Sequence, residues 1–454
     1  MIGDIILPNM SRQLSTVEIA EAKSLCNQIK SLVENRDQYI NDHVVDPVFA
    51  YPANNWDVLP NGKLKSRAES PDEFLNTNEF NYIYSKLANN SNPELLNTLR
   101  LYVQVFSGYS LLSMDRTSVK LVEHHQSQGT IDLAVKEALE HPTKRQMLDQ
   151  WHSMISGIPE RCIFSPPLML GESGYEDSCG RIVSIDSLMY QERINILFES
   201  GIIEYLDRKM ESCGEVRVLE IGGGWGALAS WFKKTYPRMK YTILDLPECL
   251  IYSSLYLTLT QPDVPFTLNG RTPKNGFGFI PNYAAFEIEG DFDLIINTLS
   301  MSEMSSYQVD KYCDLISNRW LTENGIFFEQ NYDGRASGLI FPYPIIEKHF
   351  NYHSQALSTT VPLVQNGLPT IWSKKPLNII SQSPRSLLYG SIRKLGTLGQ
   401  YHIFEIGKLK LAIHSAVGNL NPYLLQSRDL APAIFVAEDT ETLIAKCNKW
   451  VQSN

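Results

Sequence analysis

The stretch Val216–Gly226, read V-R-V-L-E-I-G-G-G-W-G, constrains this chain more than any other. An apolar run reaches Glu220 and then breaks into glycines at 222, 224 and 226. A second apolar run, Tyr241-Thr-Ile-Leu, ends in Asp245. Strand, glycine turn, helix, strand and acid, in that order, describe a nucleotide-type ligand lying across the carboxyl ends of a parallel sheet. Glycine is needed where the chain turns sharply off a strand and a ligand approaches the backbone closely.

The pattern around this unit continues as strand and helix in alternation. Strands are expected at 216–221, 240–245, 292–297 and 324–330, with one more near Gly276–Ile280. Helices are expected near 225–236, 247–259 and 306–320. That is an α/β chain with a doubly wound, mostly parallel, Rossmann-like sheet. A single helix over Leu188–Met210, capped by Asp186 and closed at Cys213-Gly214, leads into it. Lys348–Lys374 is less periodic and reads as an insertion over the site or a linker within the same domain.

Residues 1–160 read as a mainly helical N-terminal domain. Ser15-Thr-Val-Glu18 has the form of a capping box, and Ile19, Ala22, Cys26, Ile29 and Val33 follow at helical spacing. Tyr51–Asn76 is polar and rich in Pro, Asn and Gly, as a loop would be. The helical part suits a cap over a substrate pocket or a surface for a homo-oligomer. The central domain is assigned to 161–390. A small α/β C-terminal module, 391–454, begins with a hairpin around Gly407, continues with a strand at Ile434-Phe-Val and ends in a helix from Thr440.

Bulk composition narrows the function classes. With 454 residues, 43% of them hydrophobic, the chain can bury two or three cores. A formal net charge of -10 gives no broad attraction to nucleic acid. The seven cysteines form no CxxC pair or zinc-like cluster, which fits a reducing compartment. No apolar run reaches the roughly 18 residues of a membrane span, and the first residues lack the form of a signal peptide. A cytoplasmic enzyme is the expectation.

The glycine turn also discriminates among ligands. No lysine follows it at the spacing of a phosphate-binding Walker loop. The glycines run GxGxG, where a dinucleotide site wants GxGxxG, and Glu220 stands two residues before the first. A carboxylate at the strand end suits a cationic or hydroxyl-bearing ligand better than a pyrophosphate. S-adenosylmethionine carries both an amino group and ribose hydroxyls, and Asp245 is placed to accept from the latter.

These residues resemble the class I S-adenosylmethionine-dependent methyltransferases over about 215–335. Glu220–Gly226 resembles their first motif, whose acid and backbone hold the methionine end of the cofactor. Leu244-Asp-Leu-Pro247 resembles the ribose motif, with Leu246 flanking the adenine, and Phe292–Asn297 resembles the strand whose end, at Asn297, faces the sulfonium. A narrower resemblance spans about 160–375. Pro167–Gly174, Tyr190-Gln-Glu-Arg-Ile194, Phe279-Ile-Pro281, Asn297–Met304 and Phe328-Glu-Gln-Asn331 are similar to a family of sugar O-methyltransferases from bacterial polysaccharide and natural-product gene clusters. That family carries glutamine where this chain has Ser302. The resemblance implies that Glu172 contacts the methionine amino group and Tyr190 covers its carboxylate. It further implies methyl transfer to a hydroxyl of a sugar or glycosylated small molecule by direct displacement. N- or C-methylation of another metabolite, or a non-catalytic binding scaffold, stand as alternatives.

A protonated hydroxyl is a poor nucleophile, so a base or a metal is expected to assist. Glu303, just beyond the fourth expected strand, is the first candidate base. Glu329 and His349 are further catalytic candidates, and Asn331 and His353 are candidates for binding the acceptor. If the segment is helical, His349 and His353 share a face. Trp225 either packs against the cofactor or anchors the first helix. Glu303, Glu329, Asn331 and a histidine are able to assemble a hard-ion site, which leaves magnesium open.

Overall fold

The computed structural model describes residues 5–6, 14–53, 144–166, 174–331, 334, 339–355, 369–377, 392–398, 401–406, 409–414 and 434–437. Three strands, β1 (Ile5–Ile6), β2 (Gly174–Glu176) and β3 (Ile182–Val183), make a small antiparallel sheet. The central sheet comprises β4 (Arg217–Ile221), β5 (Lys240–Asp245), β6 (Phe266–Leu268), β7 (Phe277–Pro281), β8 (Phe292–Thr298), β9 (Leu321–Gln330), β10 (Tyr352–Gln355) and β11 (Thr370–Ser373). A third sheet holds β12 (Ile392–Leu398), β13 (Tyr401–Ile406), β14 (Leu409–His414) and β15 (Ile434–Ala437), all antiparallel.

The central sheet runs in the order β10-β11-β9-β8-β4-β5-β7-β6. All its pairs are parallel except those made by β11, which is antiparallel to both β9 and β10. The chain moves outward from β4 through β5 to β7, then returns to place β8 on the other side of β4. The order therefore reverses between β4 and β8, and the crevice of a doubly wound sheet opens at the carboxyl ends of those two strands. The glycine turn follows β4 directly. The α/β fold class and the five expected strands are all present.

Strand alternation divides the core in two. Val218, Ile243, Ile296 and Phe328 face the helices Thr16–Glu34, Ile185–Glu199, Ala227–Thr235 and Pro247–Thr260. Leu219, Ile221, Leu244, Ile295 and Phe327 face the other way, against Ser306–Leu315 and the short helices Pro47–Ala50 and Tyr343–Ile346. The first helix begins with the expected capping box: Ser15 N–H donates to Glu18 Oε2 at 2.8 Å, and Glu18 N–H donates to Ser15 Oγ at 3.2 Å. Its Ala22, Leu25, Cys26 and Ile29 are buried in the core beneath the sheet's own helices. A buried ion pair between Arg36 and Glu248 fastens the next helix, Arg36–His43, to Pro247–Thr260. Residues 16–50 thus share the core of the central sheet.

Several local expectations are corrected. The helix over Leu188–Met210 is two helices, Ile185–Glu199 and Ile202–Cys213, broken at Gly201, whose φ of 75° is left-handed. Its cap is Ser184, not Asp186, because the Ser184 and Ser187 side chains cap each other's N–H groups. The stretch 263–290 contains two strands, β6 and β7. Within Lys348–Lys374 lie β10 and β11, which complete the sheet. The two strands expected on either side of Gly407 pair antiparallel as β13 and β14, the strand at Ile434 is β15, and β12 joins them. The expected loop over Tyr51–Asn76 and the helix from Thr440 fall almost wholly outside the described residues. Among the described residues, no helix is long and apolar enough to cross a membrane.

Candidate active site

The turn after β4 is a run of left-handed glycines. Gly222, Gly224 and Gly226 have φ of 75°, 55° and 86°, which side chains with a Cβ rarely adopt. The Gly222 N–H donates to Leu244 O at 2.9 Å, tying the turn to β5. There is no room for a side chain: a Cβ on Gly222 would overlap the Ser300 hydroxyl, and one on Gly223 would stand 2.7 Å from Ile243 Cγ2.

Two carboxylates flank this turn on the same face of the sheet. Glu220 is 3% exposed, and its Oε2 accepts from the Tyr241 hydroxyl at 2.9 Å. Burial pushes its carboxyl up to about 8, while the Tyr241 hydrogen bond and the Arg193 charge pull it down. Asp245 ends β5. It accepts from Leu246 N–H at 2.8 Å, and the backbone N–H groups of Gly224 and Gly223 favour its charged form. Burial pushes it up to about 7 against those donors. Leu246 caps the helix Pro247–Thr260 and is half-buried.

An aromatic row closes one side. Tyr190 stacks on Phe164 at 5.1 Å between centroids and meets the edge of Trp225 at 5.8 Å. Trp225 packs in turn against Tyr256 at 4.5 Å and is 2% exposed. Trp225 is part of the core packed under the sheet's helices.

The opposite face of the same strand ends carries a polar network. Asn297 Nδ2 donates to Ile221 O at 2.9 Å and to Ser300 Oγ at 2.6 Å. Its Oδ1 accepts from Asn331 Nδ2 at 2.9 Å. Asn331 also donates to Glu329 Oε2 at 2.9 Å and accepts from the Ser302 N–H at 3.3 Å. Glu329 accepts from Trp372 Nε1 at 3.4 Å, and burial pushes its carboxyl up to about 7. Asn297, Glu329 and Asn331 therefore bond chiefly to one another. They bind the ends of β4, β8 and β9 together, on the face away from Glu220. Ser302, the position that departs from the sugar family's pattern, belongs to this network.

The histidines part company. His349 lies in a 3-10 turn and His353 in β10, so no helix aligns them. The segment pairs with β11 instead, because the sheet edge offers backbone partners that a short surface helix would lack. His349 Nε2 meets Asp310 Oδ1 at 2.9 Å, on the helix Ser306–Leu315. His353 lies beside Tyr343 and 4.9 Å from the Trp372 ring, one side chain removed from Glu329. Glu303 is half-buried at the end of the turn Ser300–Glu303, and its charge reaches the Cys249 thiol beside Asp245. That turn starts from Leu299, a non-glycine residue at φ 68°, and such strain concentrates at functional sites. Glu172 lies outside the described residues. Among the described residues, no group of three or more His, Cys, Asp or Glu is placed to hold a metal ion.

Two residues stand out only in three dimensions. Gln330 is fully buried at the end of β9, on the face of Phe328 and hence of Glu220, and neither amide atom has a hydrogen-bond partner. Arg193 is 4% exposed, with Nε unpartnered. The one available signal was a polar triplet, Gln191-Glu-Arg193, within an otherwise apolar helix.

The geometry fits S-adenosylmethionine: an N–H-lined glycine turn, one acid for an ammonium and one for ribose hydroxyls. Residues 190–267 match a family described as an O-methyltransferase domain. No curated protein matches the chain. Among solved structures, the chain is similar to a probable spermidine synthase from Corynebacterium glutamicum, at 15% identity and TM-score 0.30, over 42% of this chain and 66% of that one. It is similar to a TehB-like S-adenosylmethionine-dependent methyltransferase from the same organism, at 18% identity and TM-score 0.27, over 39% of this chain and 98% of that one. A third is magnesium protoporphyrin IX methyltransferase from Synechocystis, at 10% identity and TM-score 0.28, over 40% of this chain and 83% of that one. At these scores the functional reading rests on the site and on the matched family. What the glycine turn and its two raised carboxylates ask of a ligand is in keeping with the family match, which describes residues 190–267 as an O-methyltransferase domain.

Proposed function

We propose that this protein transfers the methyl group of S-adenosylmethionine to a hydroxyl of a sugar or glycosylated small molecule, by direct displacement. The observation that carries the reading is the pair Glu220 and Asp245 on either side of the glycine turn at the sheet's reversal point. The O-methyltransferase match over 190–267 supports oxygen as the acceptor atom. The unspent amide of Gln330 supports a hydroxyl-bearing molecule, since it offers one donor and one acceptor to the same ligand. The motif resemblance over 160–375 supports a sugar.

Bound in the crevice, the cofactor supplies a methyl group already activated by the sulfonium. Asp245 would accept from the ribose hydroxyls, Leu246 would flank the adenine, and Glu220 would hold the methionine ammonium. Gln330 orients the acceptor hydroxyl. Glu303 would take the hydroxyl proton as the acceptor oxygen displaces the sulfonium sulfur from the methyl carbon, the C–S bond breaking to leave S-adenosylhomocysteine, a contribution worth about 10²–10⁴ in rate. The Asn297–Asn331–Glu329 network fixes the strand ends that present these groups, and alignment of this kind is the larger share of catalysis where the leaving group is already activated.

The test is product analysis with isotopically labelled methyl donor and a panel of sugar nucleotides and glycosides. An ether-linked methyl is the expected product, with a loss of about a hundredfold in kcat for Glu303→Gln. Label on nitrogen or carbon overturns the assignment of the acceptor. Failure of the folded protein to bind S-adenosylhomocysteine in calorimetry overturns the reading as a whole.

A further inference from the structure

The crossover from β7 to β8 leaves part of the sheet bare. A parallel crossover ordinarily takes about a dozen or more residues and carries an α-helix that covers the face it passes. Here it carries a 3-10 helix of six residues, Asn282–Glu287. A cavity of about 210 Å³ opens beside that helix, over β5 and β7. Thr242 and Ile280 form its floor, on the face that Leu244 also occupies. Its walls are the loop after β6, at 269–272, and the loop before β8, at 287–290. Arg217 and Lys240, the first residues of β4 and β5, border it. Glu220 and Asp245 lie on the other face, toward the far ends of the same two strands. The cavity is therefore separate from the crevice.

Each charged side chain around it already has a partner. Glu215 lies 3.0 Å from Arg217 Nε and 2.9 Å from Lys240 Nζ. On the opposite wall Arg271 lies 3.7 Å from Glu289, and Glu287 lies 3.4 Å from His43. An anion or a zwitterion would have to draw a charge away from one of these pairs. A neutral hydroxyl would not, since it donates to a carboxylate or accepts from a cation while the pair stays intact. The floor has the same character. Thr242 Oγ1 and Thr272 Oγ1 stand 2.7 Å apart and Thr242 is 3% exposed, so one hydroxyl proton joins the two oxygens and the other is left to donate. Ile280, Ala284, Ile288 and Phe292 add an apolar patch. A ring with hydroxyls at its edge and C–H groups on its faces matches this lining. The volume, below the roughly 300–1,000 Å³ of a drug-sized site, suits a single ring. We propose that the cavity binds one neutral sugar ring, at a site apart from the crevice and independent of the cofactor reading.

Saturation-transfer NMR on the full chain tests this, with glucose, galactose and mannose as neutral probes, glucose 6-phosphate as an anion and alanine as a zwitterion. Two variants locate the site. Thr242→Val keeps the shape of the floor and removes its buried hydroxyl. Gly270→Trp obstructs the cavity from its exposed wall, where an added Cβ meets nothing closer than Thr267 Cβ at 3.9 Å. The wild-type protein is expected to bind at least one of the hexoses with millimolar affinity and to gain nothing from the phosphate. Thr242→Val is expected to weaken that hexose about five- to tenfold, the worth of one hydrogen bond, and Gly270→Trp to abolish its binding. Cooperative melting shows that a variant is folded, and either variant alone decides the outcome if the other fails to fold. Hexose binding that is unchanged in a folded variant places the sugar elsewhere and overturns the proposal. Wild-type protein that binds only glucose 6-phosphate or alanine, or that binds no hexose at all, overturns it equally.

Discussion

Replacing Gly222 with alanine tests the architecture of the turn at its tightest point. The residue has φ 75°, and a left-handed backbone costs a residue with a Cβ about 1–2 kcal/mol. The new methyl would also overlap the Ser300 hydroxyl and stand 2.5 Å from Ser300 Cβ. Ser300 is not free to step aside, because its Oγ accepts from Asn297 Nδ2 at 2.6 Å and donates to Ile221 O at 3.2 Å. Forced overpacking adds about 1–3 kcal/mol. The sum, about 2–5 kcal/mol, is a large fraction of the roughly 5–15 kcal/mol that stabilises a typical domain. Urea denaturation of Gly222→Ala should show that loss. Calorimetry should show S-adenosylhomocysteine binding weakened at least tenfold, since the displaced turn is the one that lies between Glu220 and Asp245. A cycle with Ser300→Gly separates the two costs: the double variant removes the overlap and keeps the backbone strain, so it should recover about 1–3 kcal/mol. Stability within about 0.5 kcal/mol of wild type, together with unchanged affinity, would refute the turn as described.

Three further outcomes are expected. Cofactor binding should tighten as pH rises from about 6 to about 8.5 and should release protons, because Asp245 and Glu220, raised to about 7 and about 8, must ionise to hold the ligand; calorimetry in buffers of different ionisation enthalpy reads this, and a flat profile counts against it. Because those raised carboxyls make the folded state bind more protons than the unfolded one, the ligand-free protein should lose stability as pH rises from the ordinary carboxylate range to about 8, and then level off, as melting curves from pH 5 to 9 will report. Asn297→Ala removes the donor that serves Ile221 O and Ser300 Oγ and should cost about 1–3 kcal/mol in denaturant titration. Arg36→Ala strands the buried Glu248 carboxylate and should cost about 3–5 kcal/mol by the same assay; a loss under 1 kcal/mol would show that the first helices are not fastened to the sheet as described.

Much of the central sheet was legible in the sequence because its strands are short apolar runs punctuated by glycine, proline and acids. The periodicity of Val216–Ile221 and Tyr241–Leu244, and the glycines between them, depend on local backbone sterics and on burial of both strand faces. Both are properties of the segments themselves. The same holds for the capping box at Ser15–Glu18 and the hairpin around Gly407. Part of what failed was set by neighbours distant in the chain. The edge strands β10 and β11 form because β9 offers an open ladder, and nothing within Tyr352–Gln355 announces that partner. The break at Gly201 and the cap at Ser184 are local, a left-handed glycine and an i,i+3 serine pair, and were passed over for the longer apolar periodicity around them.

The site divides along the same line. Glu220, the glycines and Asp245 could be read from order and spacing, since one βαβ unit places them all. The sequence could not show that Asn297, Asn331 and Glu329 consume one another's hydrogen bonds on the far face. A strand's alternation gives two faces but does not say which one the crevice shares. Nor could it distinguish Gln191, whose amide is spent on three partners, from Gln330, whose amide has none, or Arg193, whose Nε has none. Whether a buried polar group is satisfied depends on atoms brought from other parts of the chain. Sequence alone determined which backbone turn receives the ligand; only the tertiary structure decided which side chains remain free to hold it.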